Sequence, residues 1–153
     1  DKQEAVAEYI EEPAMEWYLA FDDRRPDPKT PSPREDAARI AHKISRLVAL
    51  PDHMDDGKNI DLVSVGHKSS TEAFLKYVLE REENGQKKIG FSSLKEIGGS
   101  MQILDGWELC AANDAEGTKH VEIVIVRANG GRTTFGVNLE MLATLAEEFA
   151  AQK

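Results

Sequence analysis

The sequence predicts an α/β fold: a three-layer sandwich with a mostly parallel central sheet, an antiparallel edge, and helices on both faces. Three observations lead there. Ser32 to Glu83 reads as helix, strand, helix, a succession that lays helices against a layered sheet. Met101 to Ala112 and Val121 to Arg127 read as strands around the turn-rich Asn113 to Gly117, a hairpin that supplies the antiparallel edge. At 153 residues, 41% hydrophobic and 31% charged, the chain can bury one sizeable core, so residues 1–153 are expected to form a single domain.

The elements follow in order. Lys2 to Glu12 places Ala5, Val6, Tyr9 and Ile10 at helical spacing, and Ala14 to Phe21 adds a further turn or two of helix after Pro13. Asp22 to Pro31, broken by Pro26, Pro28 and Pro31, reads as an irregular loop. Ser32-Pro33-Arg34-Glu35 is a capping box with proline where no amide donor is needed, and it opens a helix to about Leu50. Ala37, Ile40, Ile44, Leu47 and Val48 form its apolar stripe. After the loop Asp52 to Asn59, the β-branched run Ile60 to Val65 reads as a buried strand. Ser69 to about Glu83 reads as a second amphipathic helix, with Phe74, Leu75, Val78 and Leu79 inward and a capping-box spacing in Ser69 and Glu72. Asn84-Gly85 and Gly98-Gly99 belong to a polar connector, and Asp105-Gly106 is either a tight turn or a bulge. Thr133 to Val137 is a short strand, and Asn138 caps a last helix bearing Leu139, Leu142, Leu145 and Phe149.

Charge narrows the partners. A net charge of -9 offers no counterion release from a nucleic acid and repels an anionic membrane, and no stretch is apolar enough to span one, so neither is expected. Cys110 is the only cysteine, which favours a reducing, cytoplasmic setting. His42, His53 and His120 show no ligand spacing to one another or to Cys110, so no metal site is expected.

The sharpest local feature is Gly66-His67-Lys68-Ser69, where a histidine leaves the expected strand directly before a helix. Helix N-termini receive anions, and His67, Lys68 and Ser69 add donors, which makes them candidate phosphate-binding residues. The run ending in Gly66-His67, the helix carrying Glu72, Phe74 and Leu75, and the later Gly98-Gly99 are similar to the C-terminal half of the histidine phosphatase superfamily, the phosphoglycerate-mutase-like proteins. Ser32-Pro33-Arg34-Glu35 with Ala37, Ala38 and Arg39 resembles the helix before that strand, and the likeness spans about residues 30 to 105.

The resemblance implies a phosphomonoester hydrolase acting on a phosphorylated small molecule or phosphoprotein, without metal or cofactor. It implies a phosphohistidine formed on an Arg-His-Gly motif, a later histidine matched here by His67, and a carboxylic acid, for which Glu11, Glu12 and Glu16 are candidates, with Glu16 beside Trp17 preferred. The sequence contains no Arg-His-Gly, and Asp1 opens it in place of a methionine. The nucleophile is accordingly expected on a preceding segment or a partner chain that completes the site, and this chain alone is expected to be inactive. The alternative is a non-catalytic phosphate-binding or protein-interaction module.

Overall fold

The structure is a computed structural model in which residues 12–54 and 67–152 are described. The strand expected at Ile60–Val65 lies outside the described residues, as does nearly all of the helix expected at Lys2–Glu12. Residues 12–19 are helical (α1), followed by α2 (Pro33–Val48), α3 (Lys68–Val78), β1 (Leu79–Glu83), β2 (Gln86–Ile89), β3 (Gly106–Asn113), β4 (Lys119–Val126), β5 (Arg132–Val137) and α4 (Leu139–Ala151). Short 3-10 turns occupy Leu50–His53 and Leu94–Ile97.

The expected three-layer sandwich with a mostly parallel sheet is not what forms. The described strands make one five-stranded sheet in the order β2-β1-β5-β4-β3, and every pairing is antiparallel. The cause lies in the connections: β1–β2, β3–β4 and β4–β5 are joined by short hairpins, whereas parallel neighbours need a crossover of a dozen residues or more. The helix expected to run to Glu83 stops at Val78 because Leu79 pairs with Val137 and Glu80 to Glu83 pair with Ile89 to Gln86. Asn84-Gly85, both at positive φ (53° and 73°), makes the tight turn between β1 and β2, a sequence signal for a hairpin that outweighs the helical propensity of Leu-Glu-Arg-Glu-Glu.

One face of the sheet builds the core. Val121, Ile123 and Ile125 of β4 with Phe135 and Val137 of β5 join Ala37, Ala41, Ile44 and Val48 of α2, Phe74, Leu75 and Val78 of α3, and Leu142 and Leu145 of α4 in a single buried cluster. Phe74 sits 5.7 Å from the Trp107 ring, so Trp107 packs against the core. Glu108, Cys110, Glu122, Arg132 and Thr134, on the opposite side of the pleat, are exposed, as expected for an antiparallel sheet wetted on one face.

The capping box of α2 forms as read: the Ser32 hydroxyl accepts from Glu35 N at 3.2 Å, and Ser32 N donates to Glu35 Oε2 at 2.8 Å. Asn138 caps α4 by accepting from Met141 N at 2.8 Å. Arg34 donates twice to Glu148, tying α2 to α4. Gly90, at φ +75°, is required by close approach, since a Cβ there would lie 2.1 Å from the Lys76 carbonyl oxygen.

Candidate functional site

The structure separates the residues that the sequence nominated. His67 is the N-cap of α3, exposed, and makes no side-chain capping bond; Lys68 and Ser69 are half-buried in the first turn. Glu16, by contrast, accepts from Ser93 Oγ at 2.7 Å and Leu94 N at 3.3 Å, thereby capping the Leu94–Ile97 turn. Glu16 shares a cavity with Lys76 near the far end of α3. Nine residues of helix rise, about 13 Å, separate Lys76 from His67. Trp17 is 61% exposed and packs edge-on against Phe21, with ring centroids 4.7 Å apart. Glu16 thus holds a loop in place and does not share a pocket with His67.

Ser69 and Glu72 do not form a capping box. Glu72 is fully buried and reaches a different segment: its Oε1 accepts from Ser100 Oγ at 2.7 Å and Met101 N at 2.5 Å, while its Oε2 has no hydrogen-bond partner among the described residues. Burial pushes its carboxyl above the usual glutamate value, against the bonds from Met101 and Ser100 and the charges of Lys68 and Arg127. Glu12 of α1 accepts from Ser100 N at 3.4 Å. Arg127, at the end of β4, donates to the carbonyls of Ile97 (2.7 Å), Gly99 (2.9 Å) and Ser100 (3.2 Å). Acidic side chains thus take the amides of residues 100 and 101, and a guanidinium takes the carbonyls, an accounting that fixes an irregular loop inside the protein.

This clamp carries the turn Gln102–Asp105, closed by Asp105 N donating to Gln102 O at 3.0 Å. The Asp105 carboxylate is itself buried and accepts from Gln102 N, Arg127 Nη1 and Ala128 N, each at 2.8 Å. Burial alone would raise its pKa, but these bonds outweigh that cost and hold the carboxyl below the usual aspartate range. At the tip, Ile103 and Leu104 are 88% and 86% exposed, the largest exposures among the described large hydrophobic residues. Leu104 has φ +71°, the left-handed region that glycine normally occupies in such a turn. Sequence reasoning missed this feature because Met101 to Ala112 reads as one strand; β3 starts only at Gly106. The hint was Asp105-Gly106, which the structure resolves as the end of a turn followed by a strand start.

A partly open cavity between Glu16, Leu19, Lys76, Phe91 and Leu94 holds about 60 Å³, room for water and little more. An open cleft of about 570 Å³ lies beside β1 and β2, and its Arg81 and Lys88 are paired with Glu96 and Glu83. No cluster of metal-ligating side chains occurs among the described residues, and none of their helices is long and apolar enough to cross a membrane. Comparison with known protein families, curated proteins and solved structures returns no match to this chain.

Proposed function

We propose that this chain is a non-catalytic protein-interaction module that presents the Gln102–Asp105 turn to a partner protein with an apolar pocket. The observation that carries the reading is a pair of aliphatic side chains, Ile103 and Leu104, held almost fully in solvent on a turn that is strained at Leu104 and fixed from behind by Asp105 and Arg127. Backbone strain that the surrounding structure over-determines is a mark of functional segments. The neighbouring charges are neutralised in pairs, Asp105 with Arg127 and Glu108 with Arg132, so the tip is electrically quiet and suits an apolar pocket better than an anionic surface. Burying two aliphatic side chains contributes about 3–6 kcal/mol, and association costs about 4–15 kcal/mol, so the turn acts as the anchor of a wider contact. The single, exposed Cys110 suits a reducing, cytoplasmic setting for that contact.

The test is affinity capture followed by direct titration of the purified partner against the wild type and the variant Ile103→Asp/Leu104→Asp. The variant is expected to fold normally and to bind at least about 30-fold more weakly, the loss of a hot spot of about 2 kcal/mol. Unchanged affinity in the folded variant removes the turn from the interface.

A second reading keeps His67, Lys68 and Ser69 as phosphate ligands of a phosphomonoesterase completed by another segment. It is favoured by the exposed His67 imidazole, which caps nothing in its own helix. Inorganic phosphate or vanadate should then raise the melting temperature in the wild type and not in His67→Ala; an equal response in both ends that reading.

A further inference from the structure

We infer that Glu72 is a proton-controlled latch on the stem of the Gln102–Asp105 turn, an inference that rests on the binding role proposed for that turn and adds its regulation. The geometry has three parts. Glu72 Oε1 takes both the Ser100 hydroxyl and the Met101 amide, so one carboxyl group fixes the two residues that precede the turn. Its Oε2 is buried without a hydrogen-bond partner among the described residues, so the group is half satisfied there. Just before the stem lie Gly98 and Gly99, at φ +85° and +92°, the left-handed pair through which the chain leaves the Leu94–Ile97 turn and enters the stem.

A neutral carboxyl is the form that this surrounding favours, because a carboxylate buried with one oxygen bare lacks half of its solvation. Ionisation is answered by admitting water, and the segment that yields is the Ser100-Met101 stem that this carboxyl group holds to α3. Among the described residues, the charged groups around Glu72 are Lys68 on its own helix, Arg127 from β4 with its partner Asp105, and Glu12 of α1 on the Ser100 amide. Lys68 and Arg127 favour the charge, and burial outweighs the two cations. The folded pKa is raised, so the stability that Glu72 contributes is fully present below its ordinary value and is lost as pH rises through the raised one. Below that window the turn is rigid, and above it the stem loosens while the strands stay intact.

The experiment is amide exchange on the whole chain by NMR, with protection corrected for intrinsic rates, at about pH 5 and about pH 8. In the wild type, Ser100 and Met101 should lose about tenfold or more protection at the higher pH, while Ile123 and Ile125 of β4 do not change. Glu72→Gln, which carries no titratable proton, should show equal protection at both. Ser100→Ala removes a donor that favours the carboxylate, so it should move the wild-type transition to higher pH. Equal protection at both pH values in the wild type, or the same loss in Glu72→Gln, overturns the latch. The readout uses no partner, so failure of the binding role and failure of the latch are separately visible.

Discussion

Replacing Leu104 by glycine should make the protein more stable and a poorer binder at once. Leu104 sits at φ +71°, where an L-residue costs about 1–2 kcal/mol relative to right-handed backbone. Glycine relieves that strain but returns about 0.5–1 kcal/mol through the greater freedom of the unfolded chain. The side chain is 86% exposed, so deleting it forfeits almost no burial. The net expectation is about 0.5–1 kcal/mol of stabilisation, which for a chain of this size raises the melting temperature by roughly 1–4 °C. Urea unfolding with an unchanged m value measures it, and Leu104→Ala, which keeps the strain, serves as the control with little change. The glycine variant should also lose partner affinity, because an apolar anchor is gone and the turn is looser. A destabilisation larger than about 0.5 kcal/mol would refute the claim that strain is stored at this position.

Other expectations concern the clamp and the sheet. Arg127→Ala strips donors from three loop carbonyls and a partner from buried Asp105, and should cost about 2–4 kcal/mol in chemical unfolding. The folded Asp105 carboxyl is held low, so its contribution is present above the ordinary aspartate value and lost as pH falls through the depressed one; acid titrations of Asp105→Asn should show a shallower loss than the wild type. Gly90→Ala places a methyl group 2.1 Å from the Lys76 carbonyl oxygen at a positive φ and should cost more than about 3 kcal/mol, measured by the fall in melting temperature; a neutral result would mean that the β2 exit runs elsewhere.

Local chemistry was legible in the sequence and long-range pairing was not. Ser32 to Glu35 announced α2, Asn138 announced α4, and the two strands around Asn113 to Gly117 announced the β3–β4 hairpin, because caps and turns are set by neighbours in the chain. Leu79 to Glu83 misled because Leu, Glu and Arg are good helix formers, and only pairing with β5 and β2 makes the segment a strand. That one assignment removed the strand that Asn84-Gly85 was marking, and with it the antiparallel order of the sheet. Glu16 read as a candidate acid and Glu72 as part of a capping-box spacing, yet each bonds a loop at least 28 residues away, which no local spacing encodes. The apolar pair Ile103-Leu104 passed for strand interior because a leucine at a position made for glycine leaves no signal in composition.

The measurement that tests the account most directly is a two-dimensional NMR titration of the whole chain with its purified partner. The account predicts shifts centred on residues 100–106 and the adjoining turn at 127–131, with residues 67–70 unmoved. Shifts centred on His67 to Ser70, with Ile103 and Leu104 silent, would contradict it and return the function to the first turn of α3.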